Sequence, residues 1–198
     1  NFINPSEWDD LIIQKDTVLI DLRNTYEIEI GSFKSSINPD TNSFREFPKK
    51  FKAMNFKKEK KIAMYCTGGI RCEKASSYLS QEGYKNIFQL KGGVINYLEY
   101  VKKNSKPTNW KGECFVFDNR VTINKKLMPG KYIQCHGCRT PITKKETMSD
   151  LYVKGVSCPY CFNKRSYKQK KSSLSRQKQI DLAEINNTPH PFSRITKL

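Results

Sequence analysis

The chain has 198 residues and carries 36 Lys and Arg against 19 Asp and Glu, a formal charge of +17. That length holds one sizeable core and a smaller module, and the basic excess puts nucleic acid first among partners. No apolar run approaches the roughly 20 residues of a membrane-spanning helix, so no membrane partner is expected.

In chain order, NPSEWDDLI reads as a short helix with Ser6 as N-cap and Asp9 three residues on. Trp8, Leu11 and Ile12 form its buried stripe. TVLIDLR follows, and the apolar run from Val18 to Ile20 suits a central parallel strand. Its end carries Asp21, Arg23 and Asn24, where open α/β sheets place ligand crevices; the alternative is a surface Asp–Arg pair. The stretch from Asn24 to Thr41 reads as turn and loop, and FREFPKKFKAMNF as a short basic helix broken at Pro48. Lys57 to Lys61 is a solvated charge run.

Next comes MYCTGGIRC, from Met64 to Cys72. The run Lys61 to Tyr65 before it reads as a short buried strand. After it, Ala75, Tyr78 and Leu79 recur at helical spacing until Gly83 closes the pattern. Cys66 therefore stands where a strand ends and a loop of Thr67, Gly68, Gly69, Ile70 and Arg71 enters a helix. Gly68 and Gly69 let the loop turn its backbone N–H groups around the sulfur. The helix N-terminus and the Arg71 guanidinium favour the thiolate. Cys66 is thus the candidate nucleophile or sulfur carrier, with a small buried structural cysteine as the plain alternative. Cys72 packs at the helix start or acts as a resolving thiol.

A strand from Asn86 to Leu90 then stops at Gly92-Gly93, and a helix carries Val94, Tyr97, Leu98 and Val101 on one side. Strands alternating with helices predict an α/β domain with a parallel sheet. Here DLRNTYEIEIGSFKSSINP resembles the D-x-R-x-x-x-E-x-x-x-G signature of rhodanese domains. YCTGGIRCEKAS is similar to their active-site loop, and LKGGVINY to their closing Gly-Gly turn. This resemblance implies a doubly wound α/β domain with Cys66 as its reactive residue.

From Ser105 the composition changes. NSKPTNWKGE reads as a polar linker, and CFVFDNRVTI as two short β-like runs in which Cys114 packs inside. Two C-x-x-C pairs follow, Cys135 with Cys138 and Cys158 with Cys161, with 19 residues between them. Four thiolates on two tight turns suit a structural zinc, with His136 a neighbour rather than a ligand. The remainder is polar and basic. From Phe162 onward nine Lys or Arg face two acids. Lys164, Arg165, Lys168, Lys170, Lys171, Arg176 and Lys178, with Arg194 and Lys197, are expected to follow an RNA backbone. Tyr160, Phe162 and Tyr167 are candidates for stacking on a base or for packing. RQKQIDLAEI reads as a helix with a poor apolar face, and the rest, with His190, as a mobile tail. The expected division is 1–104 as rhodanese domain, 105–112 as linker, 113–165 as Cys-rich lobe and 166–198 as basic tail.

WKGECFVFDNRVTI, CHGC-R-x-P, SCPYC and the late RQKQIDLA together resemble the TrhO/YceA family of tRNA uridine(34) hydroxylases. The resemblance implies oxygen-dependent formation of 5-hydroxyuridine in the tRNA anticodon loop, with Cys66 as the catalytic residue. Molecular oxygen would be co-substrate, the electron donor is not named by any motif, and no flavin or haem motif is present. The family carries a further small domain before its rhodanese domain. A chain beginning at Asn1 with no counterpart to it is expected to lack an N-terminal part. A sulfurtransferase carrying a persulfide on Cys66, and a non-catalytic RNA-binding module, remain alternatives. Seven cysteines in pairs and singles predict a reducing, cytoplasmic setting.

Overall fold

Strand and helix alternate through the first half of the chain: β1 (Phe2–Ile3), α1 (Pro5–Ile12), β2 (Thr17–Asp21), α2 (Thr25–Ile28), β3 (Gly31–Phe33), α3 (Phe47–Ala53), β4 (Lys61–Tyr65), α4 (Ile70–Gln81), β5 (Ile87–Leu90) and α5 (Gly93–Lys103). The computed structural model describes residues 1–189 together with Pro191 and Phe192. His190, Arg194 and Lys197 lie outside the described residues. The main sheet has the order β1-β5-β4-β2, with every pair parallel. β4 is a central strand, which is why Ile62 to Tyr65 is an unbroken apolar run and wholly buried.

Helices cover both faces, as expected for a doubly wound sheet. On one side Trp8 and Leu11 of α1 and Val94, Tyr97, Leu98 and Val101 of α5 pack on Leu19, Ala63 and Tyr65. On the other, Phe47 and Phe51 of α3 and Ala75 and Leu79 of α4 pack on Ile20, Ile62 and Met64. Each of the buried Leu, Ile, Val, Met and Phe side chains contributes roughly 1.5–3 kcal/mol.

Several local expectations are corrected. The N-cap of α1 is Asn4, not Ser6, because Pro5 takes the first helical turn. Pro48 stands in the first turn of α3 rather than breaking the helix, for the same reason. The loop expected after Asn24 contains α2 and β3. β1, which no pattern marked, adds to the sheet edge beside β5.

The expected linker is in fact built into the first unit. β6 (Trp110–Gly112) pairs antiparallel with β3, and a hairpin of β7 (Cys114–Phe115) and β8 (Thr122–Ile123) follows. A Cβ on Gly31 would meet the Lys111 carbonyl oxygen at 2.5 Å, so glycine is what lets the two backbones close. Trp110 and Cys114 join the core under α5. One compact unit therefore runs to Gly130, and a second begins at Lys131.

In the second unit β9 (Ile133–Gln134) and β10 (Pro141–Ile142) form an antiparallel ribbon around the first C-x-x-C turn. The long helix α6 (Tyr167–Ile185) closes the unit, with a capping box of Ser166 and Gln169 at its start. It is longer than its apolar pattern suggested, because polar side chains, Ser173 and Gln177, supply much of its buried face. Among the described residues no helix is long and apolar enough to cross a membrane.

Candidate active site

β4 delivers Cys66 at its carboxyl end, and α4 starts at Ile70. Between them Gly69 is the N-cap, with φ +97°, a left-handed conformation that side chains resist. Its N–H points at the Cys66 Sγ at 3.1 Å. The other half of the loop's geometry comes from α5. The Val94 N–H donates to the Cys66 carbonyl at 3.0 Å, and the Ile95 N–H to the Thr67 carbonyl at 3.2 Å. These bonds turn the loop carbonyls toward α5, while backbone N–H groups of Gly69, Arg71 and Cys72 reach the sulfur. A Cβ on Gly93 would lie 2.5 Å from the Cys66 carbonyl oxygen, so a side chain there would push the loop and α5 apart.

The electrostatics follow from that cradle. The Cys66 thiol is lowered to about 6, first by the hydrogen bond from the Cys72 S–H, against the opposing effect of burial, and then by the three backbone N–H groups. Cys72 moves the opposite way, well above an ordinary thiol, because it donates to Cys66 and is buried. Near neutral pH, Cys66 is therefore a thiolate and Cys72 its proton-bearing partner. The carboxyl end of β4, a nest of N–H groups and a neutral thiol favour the thiolate form of Cys66, the form in which a cysteine can act as a nucleophile.

Arg71 acts differently from the expectation. Its guanidinium is tied to Glu27, Nη1 to Oε2 at 2.9 Å and Nη2 to Oε1 at 3.0 Å. A buried carboxylate is a stronger partner than the shared sulfur, so Arg71 serves Cys66 through its backbone N–H instead. Glu27 is fully buried, caps α2 by accepting from the Asn24 N–H at 3.0 Å, and accepts from the Thr67 hydroxyl at 3.4 Å. It joins α2, the loop and α4, and sequence reasoning missed it as a site residue. Its signal was the glutamate that closes the D-x-R-x-x-x-E part of the signature. Of the remaining loop residues, Thr67 is buried, Gly68 is exposed, and Ile70 is 71% exposed at the rim.

Asp21 and Arg23 line no crevice. Both side chains are wholly buried, with Arg23 bonded to Asp21 through Nε at 2.9 Å and Nη2 at 2.5 Å. Arg23 also donates to the Gly31 carbonyl at 2.6 Å and lies over the Trp110 ring at 4.9 Å. Burial alone would lower the guanidinium's pKa, but the Asp21 charge overcomes it and the net direction is upward. The pair is a brace between β2 and the β3–β6 ribbon. Neither a ligand crevice nor a surface pair describes it.

A cysteine at the end of a central parallel strand, in a loop of inward N–H groups entering a helix, is one local arrangement. The family model for the rhodanese-like domain matches residues 4–99. These residues are a rhodanese-like domain. Among solved structures, a rhodanese-related protein from Thermoplasma volcanium is 30% identical, with a TM-score of 0.44, over 54% of this chain and 95% of that one. Reduced CoADR-RHD from Bacillus anthracis is 25% identical at a TM-score of 0.44, over 52% of this chain and only 17% of its own. A rhodanese-like domain protein from Staphylococcus aureus is 20% identical at a TM-score of 0.42, over 49% of this chain and 90% of its own. The rhodanese loop here is Cys66 to Arg71, and Cys72 lies in the first turn of α4 behind it.

The second unit brings together the four other cysteines named as ligands. The sulfurs of Cys135, Cys138, Cys158 and Cys161 all lie within 4.8 Å of one another. Three pairs stand at 4.0, 3.7 and 3.9 Å. A zinc with Zn–S bonds of about 2.3 Å sets tetrahedral edges of about 3.8 Å, so the four residues fit that ion. The Cys158 N–H points at the Cys161 sulfur at 3.3 Å, an orientation suited to a thiolate ligand. His136 is exposed and not among the four.

Of the basic residues expected to contact RNA, Arg165 is committed elsewhere. It donates to the Gly137 carbonyl and to the Ser173 hydroxyl at 2.7 Å, bracing α6 against the first cysteine turn. Arg176 donates to the His136 carbonyl at 3.5 Å. Lys170 lies over the Phe162 ring at 3.7 Å. Lys164, Lys168, Lys171 and Lys178 are exposed. Tyr160 donates to Glu146, so packing on the metal lobe is its visible use.

Proposed function

We propose that the chain acts on tRNA as a uridine hydroxylase, forming 5-hydroxyuridine at the wobble position with Cys66 as nucleophile. The observation that carries this reading is a cysteine lowered to about 6 in a cradle of N–H donors. It is supported by the resemblance of the segments around Trp110, Cys135 and Cys158 to the TrhO/YceA hydroxylases, and by the +17 charge. Sulfur adds to C6 of the uracil ring, and the C5=C6 electron pair moves onto the C4 carbonyl, leaving C5 electron-rich. Oxidation at C5 by molecular oxygen takes two electrons and two protons from a reductant and releases water. Loss of the C5 proton and departure of Cys66 then restore the double bond.

A sulfurtransferase is the second reading, favoured by the rhodanese-like domain itself and by a loop whose N–H groups suit the terminal sulfur of a persulfide. Nucleoside mass spectrometry of tRNA from cells with and without the gene separates the two. Loss of 5-hydroxyuridine supports hydroxylation, and loss of thiolated nucleosides supports sulfur transfer. If neither changes, both readings fall and RNA binding alone remains.

A further inference from the structure

The segment after β6 was expected to belong to the metal lobe, yet it folds back onto the first unit. There β7 carries Phe115 inward, and Phe117, two residues on, stays 70% exposed. Phe117 is not adrift. Its ring meets Phe115 edge to face at 5.1 Å and 89°, and Phe115 meets Tyr26 of α2 edge to face at 5.5 Å. The Arg71 guanidinium sits 5.7 Å from the centre of the Phe117 ring. Arg71 in turn is fixed by two bonds to the buried Glu27, and its own backbone N–H reaches the Cys66 sulfur. An exposed aromatic ring is thus held in place beside the rhodanese loop, on a cation that a buried carboxylate immobilises.

Elsewhere in this unit, aromatic rings at β3 and the neighbouring core are turned inward. Phe33, Tyr65, Tyr97 and Trp110 are all fully buried. Val116 beside it is buried, so the extended chain turns the Phe117 ring outward, and its edge-to-face contact with Phe115 and its place beside Arg71 hold it there. A flat apolar face beside a cation whose own backbone N–H reaches the Cys66 sulfur suits a nucleotide, whose base stacks on aromatic side chains and whose phosphate seeks a cation.

We infer that Phe117 is the stacking platform for the uracil ring whose C6 meets Cys66, with Arg71 holding the platform and offering its outer edge to the adjacent phosphate. The inference rests on the proposed reading that a uridine is the substrate. It adds the residue that presents the base: Cys66 supplies the sulfur, and Phe117 sets the plane of the ring.

The test uses the full chain and an anticodon stem-loop RNA with 5-iodouridine at the wobble position. Irradiation at long wavelength couples this base to an aromatic ring stacked on it. A cross-linked peptide containing Phe117 is the expected product. Phe117→Leu should abolish that cross-link and weaken binding by roughly 5- to 150-fold, the range that base–aromatic stacking spans. Phe117→Trp should restore affinity. Alkylation of Cys66 by iodoacetamide should proceed equally in all three proteins, which shows that the loop is intact. A wild-type cross-link that maps elsewhere, or equal affinity in the Leu and Trp variants, overturns the inference. A cross-link at Phe117 without hydroxylation of the matching uridine RNA leaves the platform standing and removes the proposed reaction instead.

Discussion

Replacing Cys72 with alanine tests how the thiolate is held. The Cys66 thiol drops from 9.0 to about 6, and the Cys72 S–H is the largest contribution. That drop corresponds to roughly 4 kcal/mol in favour of the ionised form, at about 1.4 kcal/mol per pH unit. A hydrogen bond to a charged group accounts for about 1.5–3 kcal/mol of such a total. Cys72→Ala should therefore return the Cys66 pKa to about 7–8, since the backbone donors remain. Cys72→Ser keeps a donor in place and should stay close to the wild type. At pH 7 the thiolate fraction would fall in the alanine variant from about nine-tenths to between roughly one-half and one-tenth. The assay is the rate of Cys66 alkylation by iodoacetamide against pH, with the modified peptide identified by mass spectrometry. Other thiols do not compete in this unit, because donation to Cys66 and burial hold Cys72 well above an ordinary thiol, and burial pushes Cys114 up to about 12. An alanine variant with an unchanged melting profile and the wild-type midpoint would refute the role given to Cys72.

Four further outcomes are expected. Stability should rise with pH between about 6 and 9, because the lowered Cys66 contributes fully only above its unfolded pKa and loses that contribution as pH falls through about 6; thermal melts of wild type and Cys66→Ala across that window should converge at the acid end. Asp21→Asn should cost about 3–5 kcal/mol by leaving the Arg23 charge buried without its partner, read by denaturant unfolding, and the surviving folded protein should alkylate at Cys66 normally. Protein purified without added metal should hold one zinc per chain by elemental analysis, and a chelator should unfold the second unit while the Cys66 reaction rate stays the same. Lys168, Lys171 and Lys178, changed together to Gln, should reduce the slope of log affinity against log salt for tRNA by about 2–3. This substitution is preferred to deleting the tail, because α6 buries Ser173, Gln177 and Ala183 and its removal would strip the lobe.

What could be read in the sequence was whatever is local. The strand into Cys66, the glycines after it and the helix beyond are neighbours in the chain, and the four cysteines announce themselves by spacing. What stayed hidden depends on contacts between distant segments. Asp21 and Arg23 look like surface polar residues until Trp110 closes over them. The Pro- and Gly-containing stretch before Glu113 has the composition of a linker, and only its pairing with β3 makes it a strand of a two-stranded ribbon in the first unit. The guanidinium of Arg71 was assigned to the sulfur because Glu27, on another element, was not known to face it. The extent of α6 was hidden by its polar buried face, since hydrophobic periodicity is blind to a helix seated by Ser173 and Gln177.

The bonds from Val94 and Ile95 into the loop carry a consequence for the protein's birth on the ribosome. MYCTGGIRC leaves the exit tunnel well before the Gly-Gly turn and α5 that shape it, and domains fold only as their parts emerge. Until then Cys66 is an ordinary, mostly protonated cysteine at neutral pH, poorly reactive toward oxidants and electrophiles. The thiolate is favoured only on completion of the fold, so a half-made chain carries its most vulnerable atom in a safe state. By the same logic, transplanting the loop peptide to another scaffold would move the cysteine and leave its reactivity behind.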